Sequence, residues 1–504
     1  MTERSTPPSP SHQDVIIVGA GLSGIGAAYA LQKHAPRKRY LILEGRERSG
    51  GTWDLFRYPG VRSDTDMFTL GYAHRPWTRP ETMAAGADIL QYVRDAAREY
   101  GIEPHIRYAQ RVVRASWSSA DARWTLEVHD GTTGRPVVFT CDFLYLCSGY
   151  YDYAEGFQPD FPGRDRFAGQ VVHPQAWPEG LDYAGKQVVV VGSGATAVTL
   201  VPSMSRQAAH VTMLQRSPTY IATLPGTDAF ATTVRRWLPR MLAHRVARGK
   251  SIVMGALFYR LCRRRPEFAK KLLREGVKRQ LPTGFDVDAH FKPRYEPWDE
   301  RVCFVRDGDL FTSIRKGKAS VVTDRIAHFT EDGLALESGR TLKADIVVTA
   351  TGLKLKACGG IALEVDGRHV DIGKTFAWRG LMLSGVPNLA FCTGYTNASW
   401  TLRADHVSRF VARLVTTMDR RRARIVVPTC DEHAMQAEPL IGLRSGYVQR
   451  GAALFPKQGT EAPWRMAQSW WRDLFDLRLR PLRDPHLTFA RDAGWADTHT
   501  SEAR

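Results

Sequence analysis

The sequence predicts an α/β chain of two Rossmann-like dinucleotide-binding domains with a helical insertion, and three observations predict it. The run DVIIVGAGLSGIGAAYAL sets a β-branched strand, Val15 to Val18, before a tight turn at Gly19, Gly21 and Gly24 and then a helix of small residues. The run QVVVVGSGATAVTLVP repeats this pattern with Gly192, Gly194 and Ala197. Between them and the C-terminal part, residues 226–294 switch to apolar positions three and four apart among many Arg and Lys, which reads as helices packed on the second domain.

Taken in order, the first residues, MTERSTPPSPSHQ, are polar and rich in Pro and Ser, so 1–12 are expected to be a disordered tail with no signal peptide. At the first turn the glycines allow a pyrophosphate to approach the backbone at a helix N-terminus, where free N–H groups favour negative charge. The next strand, YLILEG, ends at Glu44, 20 residues beyond Gly24, where a carboxylate can accept both hydroxyls of an adenosine ribose. A loop follows with Gly50, Gly51, Thr52 and Trp53, able to lie against a flat ring system. In the second copy the strand HVTMLQRSP ends at Gln215 and Arg216, and a guanidinium there suits a 2′-phosphate; the alternative is a solvated surface arginine. One chain with both sites is expected to move electrons from NADPH, held by the second fold, to FAD, held by the first.

The endings FLYLCSG, to Gly149, and DIVVTATG, to Gly352, read as returns between the two folds and resemble the ATG-type linkers of two-dinucleotide flavoproteins. The expected domains are therefore 13–155 with 350–504 for FAD, 156–225 with 295–349 for NADPH, and 226–294 for the basic helical insertion.

Composition sets outer limits. At 504 residues and 43% apolar, the chain has ample core for more than one domain, and no apolar run is long enough to cross a membrane. Seven cysteines form no Cys-x-x-Cys pair, which argues against a disulfide framework, a zinc site or a dithiol redox centre, and no metal site is expected. The formal charge of +18 is concentrated: residues 235–279 hold 15 Lys and Arg against Glu267 and Glu275, a balance of +13. Two readings of that stretch stand side by side, a solvated cap over the active site and a basic amphipathic surface making peripheral membrane contact; nucleic acid is disfavoured because no recognised nucleic-acid fold accompanies it. The expected location is cytoplasmic, with the inner membrane face as the site of any such contact.

Ahead of the second turn lies FAGQVVHPQAWPEG. Its Phe167, Gly169, His173, Trp177 and Pro178 reproduce the F-x-G-x-x-x-H-x-x-x-W-P fingerprint, and with GGTWDLFRYPGVRSDTDMFTLGY, MLQRSPTYI and GYTNASWTL the chain resembles the type I Baeyer–Villiger monooxygenases, closest to the ethionamide-activating group, from Asp14 to about Trp471. Glu179 departs from the Asp or Gly usual after the fingerprint. The resemblance implies tightly bound FAD, NADPH/NADP+ as the nicotinamide couple, O2 as co-substrate, and a small lipophilic ketone or thioether as substrate. It further implies a flavin C4a-peroxide stabilised by Arg301 in YEPWDERVCF, with Asp64 holding that arginine, while His173 and Trp177 couple nicotinamide position to the hinge; for His173 a buried structural role is the alternative. Relatives often carry Lys before the arginine, to bind the 2′-phosphate. Glu300 stands here, which leaves Arg216 with help from Thr219 and a shallower preference for NADPH. Competing functions are S- or N-oxygenation by a related flavin monooxygenase, a dithiol reductase, for which no redox cysteine pair is visible, and a non-catalytic basic membrane-surface protein. The native substrate and the oligomeric state are not legible in the sequence.

Overall fold

The computed structural model describes residues 11–431 and 434–492, so residues 1–10 of the expected tail lie outside the described residues. Ser11 and His12, assigned above to that tail, instead begin the first strand, Ser11–Val18, because the neighbouring strand Pro136–Leu146 is long enough to pair them with Phe139 and Thr140.

Two sheets carry the chain. In the first, strands Leu389–Phe391, Pro136–Leu146, Ser11–Val18, Tyr40–Leu43 and Ile106–Arg107 lie parallel in that order. Val15, Ile16 and Ile17 are buried because a parallel sheet is covered on both faces. Beyond Pro136–Leu146 the sheet turns antiparallel through Arg123–Asp130 and Gln110–Ser118; Arg123–Asp130 alternates exposed and buried residues, as a strand with one wet face must. The small-residue helix Leu22–His34 packs against the long helix Trp400–Arg421. The second sheet is wholly parallel, in the order Ala319–Thr323, His210–Gln215, Gln187–Val191, Ile346–Thr349, Gln170–Val172.

The chain crosses between the sheets twice, and the crossings pair with each other. Strand Tyr151–Gly156 runs antiparallel to Leu353–Leu355, with Gly156 opposite Leu353. Each sheet's glycine turn sits at the carboxyl end of its central strand, so both turns face this crossing.

The insertion folds as helices Ala229–Trp237, Arg240–Arg264 and Pro266–Lys278, but it is not confined to the second domain. The small face of Arg240–Arg264, with Ala247, seats on Phe68 of the first domain. Buried Arg248 donates to the carbonyls of Phe68 (2.6 Å) and Gly71 (2.8 Å), and His244 Nε2 donates to Tyr72 O at 3.2 Å. Helix Pro266–Lys278 instead packs Leu273 and Val277 on the second domain. Leu281, Val287 and Phe291 join the second sheet's core, so the insertion ends near residue 280 rather than 294.

Three histidines, His244 and His406 buried and His74 half-buried, give the fold an acid limit. Burial lowers His74 and His406 to about 3 and His244 to about 4, from an ordinary value of 6.5. Folded rings that refuse protons stabilise the fold fully above 6.5, and that contribution is lost as pH falls from 6.5 through about 4 and about 3. Unfolding near pH 5 should therefore take up close to three extra protons from these rings, measured as the buffer dependence of the calorimetric enthalpy; no uptake beyond that of the exposed groups would contradict it.

Candidate active site

At the first turn the strain falls on Gly19, not Gly21. Gly19 has φ +104° and a Cβ there would lie 2.7 Å from Cys147 O, while a Cβ on Gly24 would lie 1.8 Å from Gly19 O. Gly21 has ordinary backbone angles, φ −78° and ψ −172°. The space in front of it is bounded by Gly51, whose Cα would be 3.5 Å from a Gly21 Cβ. Two glycines thus face each other across a narrow gap at a helix N-terminus that no side chain caps, a cradle that fits a pyrophosphate. Glu44 is buried beside it, accepting from Ala20 N at 2.7 Å and Arg46 N at 2.9 Å, and burial raises its pKa. Those two bonds fix the carboxylate and leave each oxygen a lone pair for a ribose hydroxyl. Thr52 bonds Tyr153 OH at 3.1 Å, Trp53 packs on the first core, and buried Asp54 pins the loop through Arg46 and Arg94, each at 2.8 Å.

The second turn has the same construction. Gly192 has φ +139°, and a Cβ on it would lie 2.4 Å from Ala350 O; Gly194 faces open space, and Ala197 is buried under the helix. No side chain caps this N-terminus either. Arg216 is exposed at the end of its strand. Thr219 hydrogen bonds Ser193 Oγ at 2.7 Å, so it braces the glycine turn. Burial raises the Glu300 carboxyl pKa, and the positive charge of Arg216 offsets part of that rise.

In the fingerprint, each residue has a distinct task. A Cβ on Gly169 would meet Asp345 O at 2.4 Å and the Phe167 ring at 2.5 Å, and buried Phe167 stands edge-on to Phe329. His173 Nε2 donates to Gly352 O at 3.2 Å while Nδ1 accepts from Gln175 N at 3.2 Å, and burial holds its pKa down, so the ring is neutral. Its Cε1 would lie 1.9 Å from a Cβ on Gly156, so the ring rests on that glycine's backbone. His173 therefore touches both crossing segments. Trp177 packs on the second core beside Phe56 and Val61 from the first domain's loop, and Pro178 is exposed.

Arg301 Nη1 lies 3.7 Å from Asp64 Oδ2, and both line a cavity of about 1000 Å³. Burial works against the guanidinium charge, but the acidic groups around it, Tyr150, Tyr447, Asp64 and Tyr151, outweigh that and raise its pKa. Its Nε has no hydrogen-bond partner among the described residues, which leaves it free to donate to a ligand. Tyr150 bonds Tyr151 at 3.1 Å and stacks on Trp400, whose Nε1 donates to Ser23 Oγ at 2.7 Å in the helix after the first turn. Arg301 and the first glycine cradle are thereby joined through one train of side chains.

The sequence did not single out the cavity walls. Tyr395, Asn397, Gln468 and Trp470 contribute polar groups to the lining, and Ile252, Phe258 and Leu273 apolar ones. Buried Arg403 pairs with Asp473, which also accepts from Tyr395 OH at 2.7 Å, tying the two wall segments together. Only the run GYTNASWTL gave a signal for this wall. The structure also brings the thiols of Cys147 and Cys392 into hydrogen-bonding contact at the ends of neighbouring parallel strands, a pair that local spacing could not reveal; both are buried. Among the described residues one group has metal-ligand geometry, His12, Asp14 and Asp142, but His12 bonds Thr140 and Asp14 accepts from Arg39 N.

Family models match residues 78–357 as flavin-binding monooxygenase-like and residues 17–77 as an NAD(P)-binding Rossmann-like domain. The chain is 50% identical over 481 residues to the FAD-containing monooxygenase EthA of Mycobacterium tuberculosis, covering 95% of this chain and 98% of that one. Among solved structures, cyclohexanone monooxygenase from Rhodococcus sp. Phi1 bound to NADP+ superposes with TM-score 0.67 at 20% identity, covering 84% of this chain and 87% of that one. OTEMO in complex with FAD and NADP superposes with TM-score 0.68 at 22% identity, covering 83% and 86%.

Because Gly21 has angles open to any residue and an added Cβ would reach only ordinary contact with Gly51 in the protein alone, Gly21→Ala should fold and bleach: near-normal circular dichroism with the flavin absorbance lost. Retained yellow colour at full occupancy would place the flavin elsewhere.

Proposed function

The chain belongs to the flavin-binding monooxygenase-like family, and from that premise we propose that it inserts one oxygen atom of O2 beside the carbonyl of a small lipophilic ketone, giving an ester or lactone, and also oxygenates thioethers. It is a flavoprotein monooxygenase using FAD and NADPH. The observation that carries the finer reading is the placement of Arg301: a permanent cation, held beside Asp64 and the phenols of Tyr150, Tyr151 and Tyr447, in the wall of a long apolar cavity.

In this reading the Gly21–Gly51 gap holds the FAD pyrophosphate and Glu44 its adenosine ribose, while Gly192, Gly194 and Ala197 shape the NADPH cradle and Arg216 takes the 2′-phosphate. Bound flavin, reduced by NADPH, supplies activated dioxygen. The protein's own share is electrostatic and steric. Arg301 cannot lose its proton at working pH, so it presents a fixed positive charge and directed N–H donors to the oxygen anion that develops during carbonyl attack. Asp64 restrains its position, and the neutral phenols of Tyr150 and Tyr151 flank it without adding competing charge. Apolar walls at Ile252, Phe258 and Leu273 exclude water and accept the substrate's hydrocarbon. Neutral His173, bonded to one crossing segment and resting on the other, holds the relative position of the two cradles. Peripheral contact with a membrane through residues 235–279 belongs to the same reading, as the source of a lipophilic substrate.

Arg301→Ala should bind FAD normally and lower ester formation by about 10² to 10³ or more, while flavin reduction by NADPH survives. Product analysis with a ketone that the unaltered enzyme oxidises is the measurement; ester at a tenth of the original rate would place the oxygenation chemistry on another residue. Arg216→Ala should raise the KM for NADPH about tenfold while leaving NADH use nearly unchanged, because a guanidinium–phosphate contact is worth about 1.5 to 3 kcal/mol. Equal losses with both nucleotides would remove Arg216 from the phosphate site.

A further inference from the structure

The insertion leaves an apolar face uncovered. Helix Arg240–Arg264 carries Leu242, Val246, Val253 and Leu257 on one exposed stripe, and helix Pro266–Lys278 adds Phe268 and Leu272 four residues apart. Trp237, the last residue of helix Ala229–Trp237, is 82% exposed; Phe268 is 58%, Met254 56% and Leu257 53% exposed. Isolated exposed apolar side chains need no explanation, but a run of them on adjacent helices marks a contact surface. Around the stripe stand Arg236, Arg240, Arg245, Arg260, Arg264 and Lys271, all exposed and none in an ion pair among the described residues. The remaining basic residues of these helices include several that are committed: Arg248 to buried carbonyls, Lys250 to Asp228, Arg263 to Asp299 and Arg274 to Asp288. The uncommitted positive charge is thus concentrated with the exposed apolar groups.

This face is also where the cavity opens. Met254, Leu272 and Trp471 line the cavity of Arg301 and are at the same time half exposed or more, so they form its mouth. The exposed lining residues also include Thr223, Arg260 and Arg472, so the mouth sets a tryptophan, a methionine and a leucine beside cations, the pairing that an interfacial surface carries.

We propose that the outer face of helices Ala229–Trp237, Arg240–Arg264 and Pro266–Lys278 docks on an anionic lipid bilayer, with the cavity mouth turned into the acyl boundary so that substrate enters from the membrane. Charge decides the occupant: a second copy of this basic face would repel itself, whereas anionic headgroups neutralise the Arg and Lys rim while Trp237, Leu257 and Phe268 insert between acyl chains. Among the described residues no helix is long and apolar enough to cross a membrane, and the proposed contact is peripheral. The entry route rests on the oxygenase reading of the cavity; the docking does not.

Flotation of the FAD-loaded protein with vesicles tests it. Vesicles of phosphatidylglycerol and phosphatidylcholine should carry the protein, vesicles of phosphatidylcholine alone about tenfold less, and about 0.5 M salt should release it. The triple change Trp237→Ser, Leu257→Ser and Phe268→Ser should weaken flotation about tenfold or more while flavin absorbance and thermal midpoint stay unchanged. Should that variant lose its flavin or its fold, Arg245→Gln with Arg260→Gln and Lys271→Gln, which alters only exposed charge, should abolish the preference for phosphatidylglycerol. No flotation of the unaltered protein, or equal flotation of the folded variants, overturns the proposal. So does a change of oligomeric state in light scattering without flotation, which would give the face to a second copy of the chain. Arg301→Ala should float like the unaltered protein whatever its activity, which separates failure of docking from failure of the oxygenase reading.

Discussion

The position of His173 between two backbone crossings is the constraint on which the rest of the molecule depends. The two sheets share no strand; they are joined by Tyr151–Gly156 and Leu353–Leu355, a short antiparallel pair. A pair that short would flex unaided. One imidazole bonds to Gly352 O and lies on the backbone of Gly156, where a side chain would take the ring's place. Burial keeps the ring neutral, so one nitrogen donates while the other accepts. Charging the ring would take away the acceptor that holds Gln175 N, and Gln175 in turn donates to Asp152 O in the first crossing strand.

Electrostatics inside that frame are graded from one cradle to the other. Arg301 sits where burial works against its charge, yet a guanidinium beside the Asp64 carboxylate stays protonated at any working pH, so its charge is fixed. Near the second cradle, Glu300 is half-buried within electrostatic reach of Arg216. If Arg216 takes the 2′-phosphate as proposed, that phosphate would compete with Glu300 for the same guanidinium, a physical ground for a shallower preference between the two nicotinamide cofactors than a lysine at position 300 would give.

What the sequence showed, and what it hid, divides by range of interaction. Both glycine turns, Glu44, Arg216 and the two returns are local signatures of strand, turn and helix, and the sheets contain them in the expected order. The distribution of strain inside the first turn was not local: Gly19 needs its freedom because Cys147 O, from a strand more than a hundred residues away, lies against it. The same holds for Cys147 and Cys392, which meet only because Leu389–Phe391 pairs with Pro136–Leu146. Helical spacing revealed the insertion but could not say which domain its small face would meet, and the match of Ala247 to Phe68 decided that. Thr219 was expected to help Arg216 hold the nicotinamide cofactor; its hydroxyl also bonds Ser193 Oγ, a contact visible only once the turn has folded.

The insertion is a second bridge between the domains. Because Arg248 and His244 fasten one helix to the first domain while Leu273 and Val277 fasten the next to the second, the insertion spans the same pair of domains that His173 spans at the crossing. The cavity of Arg301 takes its walls from both domains and from the insertion. Any change in the angle between the sheets must therefore alter the cavity's width, and any ligand pressing on the insertion's outer face is coupled, through Arg248 and the carbonyls of Phe68 and Gly71, to the segment that follows Asp64. Arg248 is buried and its bonds are made to backbone oxygens, so this path is rigid. Arg301, which we propose faces the reacting oxygen, and the helices that face outward are consequently parts of one mechanical unit, not a site with an independent lid.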